Sequence, residues 1–496
     1  MLEHTLNLPK TLFPMRANAA KREPHLIPRT TTELYRWQQS SRSSEGNSFV
    51  LHDGPPYANG DLHIGHLLNK TLKDIINRYQ LLKGKRIDYI PGWDCHGLPI
   101  ELKALQGSLR TDLSPTDIRK RARACASEAI ARQSADFERW GVLADWDFSA
   151  DDYDGAFYKT MSKEYEAAQL EVFREMILKN IVYRGRKPVY WSPSSRTALA
   201  EAELEYADRV SESVFISFPL KCTGTSLLEK VWTDDPKRSS SSSLSALVWT
   251  TTPWTIPANM ALCVHPEFEY SIVRRRDDGD GNSSHFLVAT KLLRSVHEAL
   301  RDVHDENGQG GFFITETDGH LFNVVGTLTG ADLVGAEFGH PLNERRTSPI
   351  LLGTHVTTEA GTGIVHTAPG HGIDDYVVWS AYQKEQGLND DILCPVDDDG
   401  CFTPAVDGLV SSAFAPPEGR FCGKNVLEEG NLMIIDALGT SERLVMREKY
   451  LHRYPHDWRT KKPVITRSTE QWFANVEMLH DDAASALREV RMVRWE

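Results

Sequence analysis

No apolar run in the 496 residues approaches the roughly 20 that a membrane span needs, which excludes a membrane-spanning helix and with it a membrane partner. Cysteine is sparse. The seven (Cys95, Cys125, Cys222, Cys263, Cys394, Cys401 and Cys422) are odd in number, scattered, and nowhere in a CxxC, so there is no disulfide framework and a reducing compartment fits. Cys394 and Cys401 flank an acidic turn and read as loop cysteines rather than metal ligands. Positive charge is in deficit: 56 Lys and Arg face 69 Asp and Glu, a net charge of -13. A protein that coats nucleic acid non-specifically would be basic, so that class is disfavoured, although a local basic surface is compatible with the total. The N-terminal stretch has no apolar segment of the signal-peptide kind, which argues against secretion, and it is too polar and Pro-interrupted to be a clear transit peptide. No internal repeat is visible. What remains is an ordinary globular composition, 40% hydrophobic and 25% charged, long enough for two to four domains at roughly 100–200 residues each.

Residues 1–47 form a Pro- and Ser-punctuated extension with one short helical pattern near Thr32–Gln39. An apolar strand at Phe49–Leu51 runs into the turn-rich HDGPPYANGD. The periodicity then predicts a helix with Leu68, Leu72, Ile75, Ile76, Tyr79 and Leu82 on one face and Gly84 just past its end. A second strand, Lys85–Ile90, completes a βαβ unit, which implies a parallel sheet with ligands at the carboxyl ends of its strands. From Ser114 to Asn180 the pattern is helical, with Leu170, Phe173, Met176 and Ile177 as one apolar face. From about 210 the chain turns rich in Thr, Val and Gly, with strand-like runs such as Ala246–Thr250 and Gly363–His366. Polar, low-complexity tracts starting at Ser239, Arg274 and His304 read as solvated loops. The expectation is an α/β domain split by a strand-rich insertion, with borders at 48–209, 210–412 and 413–496.

Three segments carry chemistry. In the first, Asp53-Gly-Pro-Pro-Tyr-Ala-Asn-Gly-Asp-Leu-His63-Ile-Gly-His66, two Pro and two Gly shape a loop that delivers two histidines to the first turn of a helix. A helix N-terminus favours anions, and two imidazoles add donors for a transferring phosphoryl group. Gly65 between them leaves the backbone open to a flat ring or a phosphate. The second, Pro91-Gly-Trp-Asp94-Cys-His-Gly-Leu-Pro-Ile-Glu101, follows the next strand, where Asp94 is a natural partner for an ammonium group. The third is distributed: Trp249-Thr250-Thr251-Thr252-Pro-Trp-Thr-Ile-Pro-Ala-Asn259, and later Gly361-Thr-Gly-Ile-Val-His366 running on to Asp375. Threonine hydroxyls, exposed backbone amides and a carboxylate are an inventory for hydrolysing an aminoacyl ester through a positioned water. Finally, Arg447–Arg467 holds seven Lys or Arg against two acids. It reads either as a solvated face or as a strand returning from the insertion with phosphate contacts.

The first segment resembles the HIGH signature of class I aminoacyl-tRNA synthetases, and with the second it is most similar to the isoleucine-specific members of the bacterial or organellar type. The resemblance implies an α/β fold: a split Rossmann-like (HUP-type) parallel-sheet catalytic domain with an inserted β-rich editing domain. It implies ATP with Mg2+, isoleucine and tRNA(Ile) as reactants and partner. His63 and His66 become catalytic, and Gly54, Pro55, Gly65 and both histidines bind ATP. Pro55, Asp94 and Trp472, in the segment Thr469-Glu-Gln-Trp-Phe, serve the isoleucine pocket. The third segment is similar to the editing domain of the isoleucine, valine and leucine enzymes, which assigns Thr250, Thr251, Thr252, Asn259 and His366 to the pocket and Asp375 to the amino group of a misattached valine. The need for editing is energetic: one missing methylene is worth only about 1–3 kcal/mol, a figure known from isoleucyl-tRNA synthetase itself rather than read from these residues.

Two departures stand out. Where such proteins often have a CxxC zinc pair, this chain reads Trp191-Ser-Pro-Ser-Ser195, so no zinc is expected. No KMSK string occurs, so the second ATP signature and the anticodon-binding domain are expected to lie beyond these residues and the isolated chain is expected not to charge tRNA. A monomer in the mitochondrial matrix is expected, with the cytoplasm as the alternative. Competing readings are an HxGH nucleotidyltransferase without tRNA, a free-standing editing hydrolase or tRNA-binding fragment, and a truncated product without activity.

Overall fold

The structure is a computed structural model; it describes residues 18–43, 45–105, 113–146, 157–235, 238, 242–275, 284–301, 322–389, 391–415 and 420–490. Most of the three low-complexity tracts lies outside these residues. The chain divides into two compact units: Met1–Val182 with Asn475–Glu496, and Tyr183–Ala474.

The first unit is α/β. Its elements are α1 (Ala19–Thr30), α2 (Thr32–Ser41), β1 (Ser48–Val50), α3 (Ile64–Leu82), β2 (Arg86–Asp88), β3 (Gly92–Trp93), α4 (Leu98–Ala104), α5 (Pro115–Arg139), β4 (Tyr158–Lys159) and α6 (Lys163–Leu178). β1 and β2 pair in parallel, Phe49 opposite Ile87, with α3 as the crossover, and β3 pairs in parallel with β4. The expected βαβ unit is therefore present. The described part of the N-terminal extension, through α2, is integral to it. Gln38 of α2 donates to Ile87 O at 2.9 Å and accepts from Ile87 N–H at 2.7 Å. The Tyr35 hydroxyl does the same for Tyr89. Two side chains thus satisfy the backbone groups that a further strand would otherwise take.

The apolar face of α3 exists as predicted, but it points outward. Leu68, Leu72, Ile75, Ile76, Tyr79 and Leu82 are 44–87% exposed, whereas Lys70, Asn77 and Leu81 are buried. The inner face meets a core of Ile87, Tyr89, Trp93, Phe137 and Leu143 and, at Lys70, a buried carboxylate. α6 likewise buries no residue outright: Leu170 and Ile177 are exposed and Phe173 and Met176 half-buried.

The second unit is β-rich. It holds β5 (Val182–Ser192, starting on the last residue of the first unit), β6 (Thr197–Leu199), β7 (Leu204–Cys222), α7 (Ser226–Thr233), β8 (Ser243–Thr250), β9 (Ala261–Val264), β10 (Glu269–Arg275), β11 (Ser284–Ala289), α8 (Leu293–Arg301), β12 (Phe322–Thr329), β13 (Glu337–His340), β14 (Asn343–Leu352), β15 (Val365–Thr367), α9 (Ile373–Gln386), α10 (Val406–Leu409), α11 (Glu429–Thr440), β16 (Leu444–Asp457) and β17 (Ile465–Ala474). A last helix, α12 (His480–Glu489), falls in the first unit. Ten strands form one mixed sheet in the order β12-β10-β11-β8-β7-β13-β14-β9-β15 with β16 on β7, and β17-β5-β6 form a second. Alternating residues such as Val214, Ile216 and Phe218, with Leu244, Ala246 and Val248, fill a continuous core.

The two compact units divide at Val182/Tyr183 and Ala474/Asn475, whereas the borders expected from composition lie at 209/210 and 412/413. β7 runs unbroken across residue 210, and β16 pairs along it from Leu444 opposite Ile216 to Asp457 opposite Leu204. A ribbon of that length binds residues on both sides of each proposed border into one body. The ribbon also decides the fate of the basic run. Arg447 pairs with Glu212 (2.9 Å) and Arg453 with Asp208 (3.8 Å) across the two strands, and just past the end of β16 Arg459 pairs with Glu203 (3.0 Å) and Lys461 with Glu205 (2.6 Å). Arg467 pairs with Asp398. Five of the seven cations thus have carboxylate partners inside the unit, which favours the solvated-face reading over a row of phosphate contacts.

Ser192 and Ser195, which stand where zinc ligands were considered, both donate to Asp457 Oδ2 at 2.8 Å, and Asp457 Oδ1 accepts from the N–H groups of Arg459 and Thr460. Hydroxyls whose protons are spent on a buried carboxylate do not fit a tetrahedral zinc site.

Candidate functional site

In the first unit the loop after β1 delivers His63 as the N-cap of α3. His63 Nδ1 accepts from Gly65 N–H at 3.1 Å, and His66 Nδ1 accepts from His63 N–H at 3.2 Å. Two of the otherwise orphaned N–H groups at the helix start are so satisfied. With Nδ1 an acceptor on both rings, the proton of each neutral imidazole is assigned to Nε2. The rings lie 3.9 Å apart, centroid to centroid. Partial burial, His63 and Lys70 all lower the His66 pKa from 6.5, so it is neutral at pH 7. The pair thus presents two Nε2–H donors beside a helix N-terminus. Gly65 is required for a reason other than the one expected: a Cβ there would come within 2.9 Å of the His63 ring, so the space above it belongs to His63.

Asp53, at the start of the loop, is buried. It accepts from Lys70, from Lys73 at 2.5 Å and from the Tyr89 hydroxyl at 2.9 Å. Burial alone would raise its carboxyl, but the ammonium groups of Lys70 and Lys73 outweigh this and hold it below the usual range. Further on, Ala58 N–H donates to Asp94 O at 2.9 Å and Asp94 N–H to Pro56 O at 3.0 Å. The second motif therefore runs against the first through its backbone. The Asp94 carboxylate is half-buried and accepts from His96 N–H at 3.3 Å. Gly54 is exposed and Pro55 half-buried on the same loop. The structure thus brings Gly54, Pro55, His63, Gly65, His66 and Asp94 together. Trp472 is carried by β17 of the second unit, more than half exposed.

Residues outside the motifs hold this arrangement. Lys103 donates to Asn59 O at 2.5 Å, and Gln133 of α5 reaches both motifs. A signal for Gln133 was present: it interrupts the buried stripe Ala126, Ile130, Phe137 at a helical spacing, where an apolar residue is expected.

The second unit separates the expected pocket residues into three groups. Thr250 Oγ1 accepts from Thr252 N–H at 3.1 Å, which turns the chain at the end of β8. Thr251 and Thr252 line a cavity of about 320 Å³ with Arg209, Glu212, Trp254 and Tyr454. His366 and Asn259 lie outside its wall in a buried network. His366 Nε2–H donates to Thr255 Oγ1 (2.7 Å), His366 Nδ1 accepts from Asn259 Nδ2 (3.0 Å), and Asn259 Oδ1 accepts from Ser348 (2.5 Å). Burial, with His371 adding to it, pushes the His366 pKa down to about 3, so the ring is neutral with both nitrogens engaged. Asp375, in the first turn of α9, accepts from Ala368 N–H at 2.9 Å. A Cβ on Gly372 would strike this carboxylate at 2.5 Å, so glycine makes room for it. Burial raises the Asp375 pKa from 3.8 despite the Ala368 amide and His355.

Residues 30–495 match the family described as tRNA synthetases class I (I, L, M and V). The chain belongs to that family. Within it, the chain is 46% identical over 490 residues to a protein of Synechococcus sp. (strain ATCC 27144) named isoleucine–tRNA ligase, covering 98% of this chain and 45% of that one. It is 45% identical to the protein of the same name from Thermosynechococcus vestitus, over 99% of this chain and 46% of that one. The chain thus spans about half the length of the curated relatives it matches. A solved structure, the ternary complex of Agrobacterium radiobacter K84 agnB2 LeuRS with tRNA and LeuAMS, aligns with 91% of this chain and 49% of its own at 15% identity; its TM-score of 0.33 is too low to argue from.

Proposed function

We propose that the protein represented by this chain is an isoleucine–tRNA ligase. In this reading a carboxylate oxygen of isoleucine attacks the α-phosphorus of ATP, a new P–O bond forms, and the bond to the β-phosphate breaks as pyrophosphate leaves with Mg2+. The adenylate then passes its acyl group to tRNA. His63 and His66 donate Nε2–H bonds to the phosphoryl oxygens as charge develops there, and Asp94 holds the substrate ammonium. The observation that carries the reading is the double Nδ1 cap, which leaves the Nε2–H of each ring as a donor at a helix start. Calorimetric binding of a sulfamoyl isoleucyl-adenylate mimic tests it. In ATP–pyrophosphate exchange with isoleucine, by a protein that also carries the second ATP signature, His63→Ala or His66→Ala costs about 2–4 kcal/mol of transition-state stabilisation, the usual worth of a preorganised donor; exchange within about twofold of wild type removes the histidines from that role.

The second unit is proposed to be an inserted editing domain, which makes the first unit the leading part of a split Rossmann-like catalytic domain. Its β-rich core and the Thr251–Thr252 cavity support hydrolysis of valyl-tRNA, with Asp375 holding the valine ammonium. Because burial raises the Asp375 pKa, the acid limb of deacylation lies above 3.8. Asp375→Ala lowers deacylation of preformed valyl-tRNA by at least about tenfold, near 1.4 kcal/mol for one charge-assisted contact. A rate equal to wild type would reduce Asp375 to the loop clip described above.

A further inference from the structure

Gln133 is 1% exposed and belongs to neither motif. Its Nε2 donates to Tyr57 O at 3.0 Å and to Gly60 O at 2.7 Å, so both amide hydrogens are spent on the loop that leads to His63. Its Oε1 accepts from Trp93 Nε1 at 3.1 Å, so the acceptor is spent on the residue before Asp94. The amide orientation follows from these partners, because a flipped amide would set donor against indole N–H and acceptor against two carbonyls. Two donors and one acceptor on one flat group are what the place demands. Glutamate lacks the donors, lysine lacks the acceptor, and methionine has the shape with neither.

We propose that Gln133 is a positioning residue that sets the separation between Asp94 and the His63–His66 pair, and so the alignment of the amino-acid carboxylate with the α-phosphate. The inference rests on the adenylating reading above. Asp94 and the loop also touch through two backbone hydrogen bonds, but those join Asp94 to Pro56 and Ala58 only. Gln133 extends the tie to Gly60, three residues before His63, and anchors it to the 25-residue helix α5. Each half-site is complete without Gln133: Asp94 keeps its carboxylate and the histidines keep their caps. What Gln133 adds is their mutual placement, and its loss should show only in a ligand that occupies both halves at once.

The test uses a protein that carries this chain together with the second ATP signature, wild type and Gln133→Met, with three probes followed by calorimetry: ATP, isoleucine, and the sulfamoyl isoleucyl-adenylate mimic. Joining two ligands gains affinity only when the two half-sites are correctly spaced, so Gln133→Met should weaken the mimic by about tenfold or more while ATP and isoleucine each change by less than about twofold. Trp93→Phe removes the indole bond to Gln133 and keeps an aromatic ring in its place. It should show the same selective loss, smaller, and it serves where Gln133→Met does not fold. Equal weakening of all three probes, in step with a lowered Tm, would make Gln133 a packing residue and overturn the proposal, as would undiminished binding of the mimic. Failure of a wild-type protein that carries this chain together with the second ATP signature to bind any probe overturns the adenylating reading, and this inference with it.

Discussion

The two units differ in which titratable groups they bury, the second adding neutral histidines to its buried carboxylates. In the first, the interior holds a charged cluster: Asp53 between Lys70 and Lys73, capped by Tyr89. In the second, neutral networks stand beside buried carboxylates such as Asp235 and Asp457: Thr255, His366, Asn259 and Ser348 form one, and His340 and His371 are bonded to the carbonyls of Ile256 and Thr466 in others. The apolar residues differ in the same sense. The second unit gathers many of them into a large core with a smaller cluster around Trp379, whereas the first leaves a whole face of α3 bare. A charged interior depends on keeping both signs present; a neutral one depends on keeping protons away. Acid therefore attacks the two units at different pH.

The largest effect is expected in the second unit. Burial drives the pKa of His366 to about 3 and of His371 to about 4, and that of His340 well below 6.5. Folded pKa values below the unfolded one mean that the unfolded chain takes up protons first. Stability is complete above pH 6.5 and falls as pH drops toward 4, by about 1.4 kcal/mol per histidine for each pH unit. Urea unfolding followed by hydrogen exchange in β8, β9 and β15 should show a loss of several kcal/mol between pH 7.5 and 5. Equal protection at the two pH values would mean these rings are not neutral and buried.

The next effect isolates the charged cluster. Lys70→Met leaves Asp53 with one ammonium instead of two and should cost about 3–5 kcal/mol, the usual penalty for breaking a buried pair from one side. Because the Asp53 carboxyl is held below its ordinary 3.8, its contribution is present above that value and lost as pH falls through the folded one. The gap between wild type and Lys70→Met in urea should thus narrow only in strong acid, below the range in which the second unit loses its histidine contribution. A gap that is the same at pH 7 and pH 3 would show that the charge of Asp53 is not what Lys70 stabilises.

How much of this was legible follows from range. Local periodicity and turn chemistry identified the strand–helix–strand unit around α3 and the loop that delivers His63 and His66, because each depends on residues a few positions apart. The partners of Asp53 lie 17 to 36 residues away, and those of Ser192 and Ser195 more than 260, so no window of sequence could connect them. The basic run stayed open between two readings for the same reason: its carboxylates, three of them on β7 with Glu203 and Asp398 outside it, stand 69 to 256 residues away in sequence. The Thr-rich segment was located correctly as a strand end, but composition could not separate a cavity wall from the hydrogen-bonded residues behind it. Gln133 could have been noticed as a polar residue in an apolar stripe, yet its three partners appear only once α5 lies against both motifs.

The smallest expected effect on stability concerns α3, and it separates a bare surface from a hidden one. Leu68 and Leu72 stand one turn apart and are 61% and 54% exposed. A face of six large apolar side chains in water stabilises nothing by itself and invites association, since contiguous apolar patches on soluble proteins mark contact surfaces or aggregation sites. Leu68→Lys with Leu72→Glu places opposite charges at an i,i+4 spacing, so the helix loses no propensity and little packing. Unfolding free energy should move by no more than about 0.5 kcal/mol. Binding of an apolar dye, and self-association in sedimentation velocity, should both fall clearly. A loss of stability above about 2 kcal/mol would place these leucines in a packed core, as Leu→Ala changes do. The contrast between the units would then collapse, because both would have closed interiors.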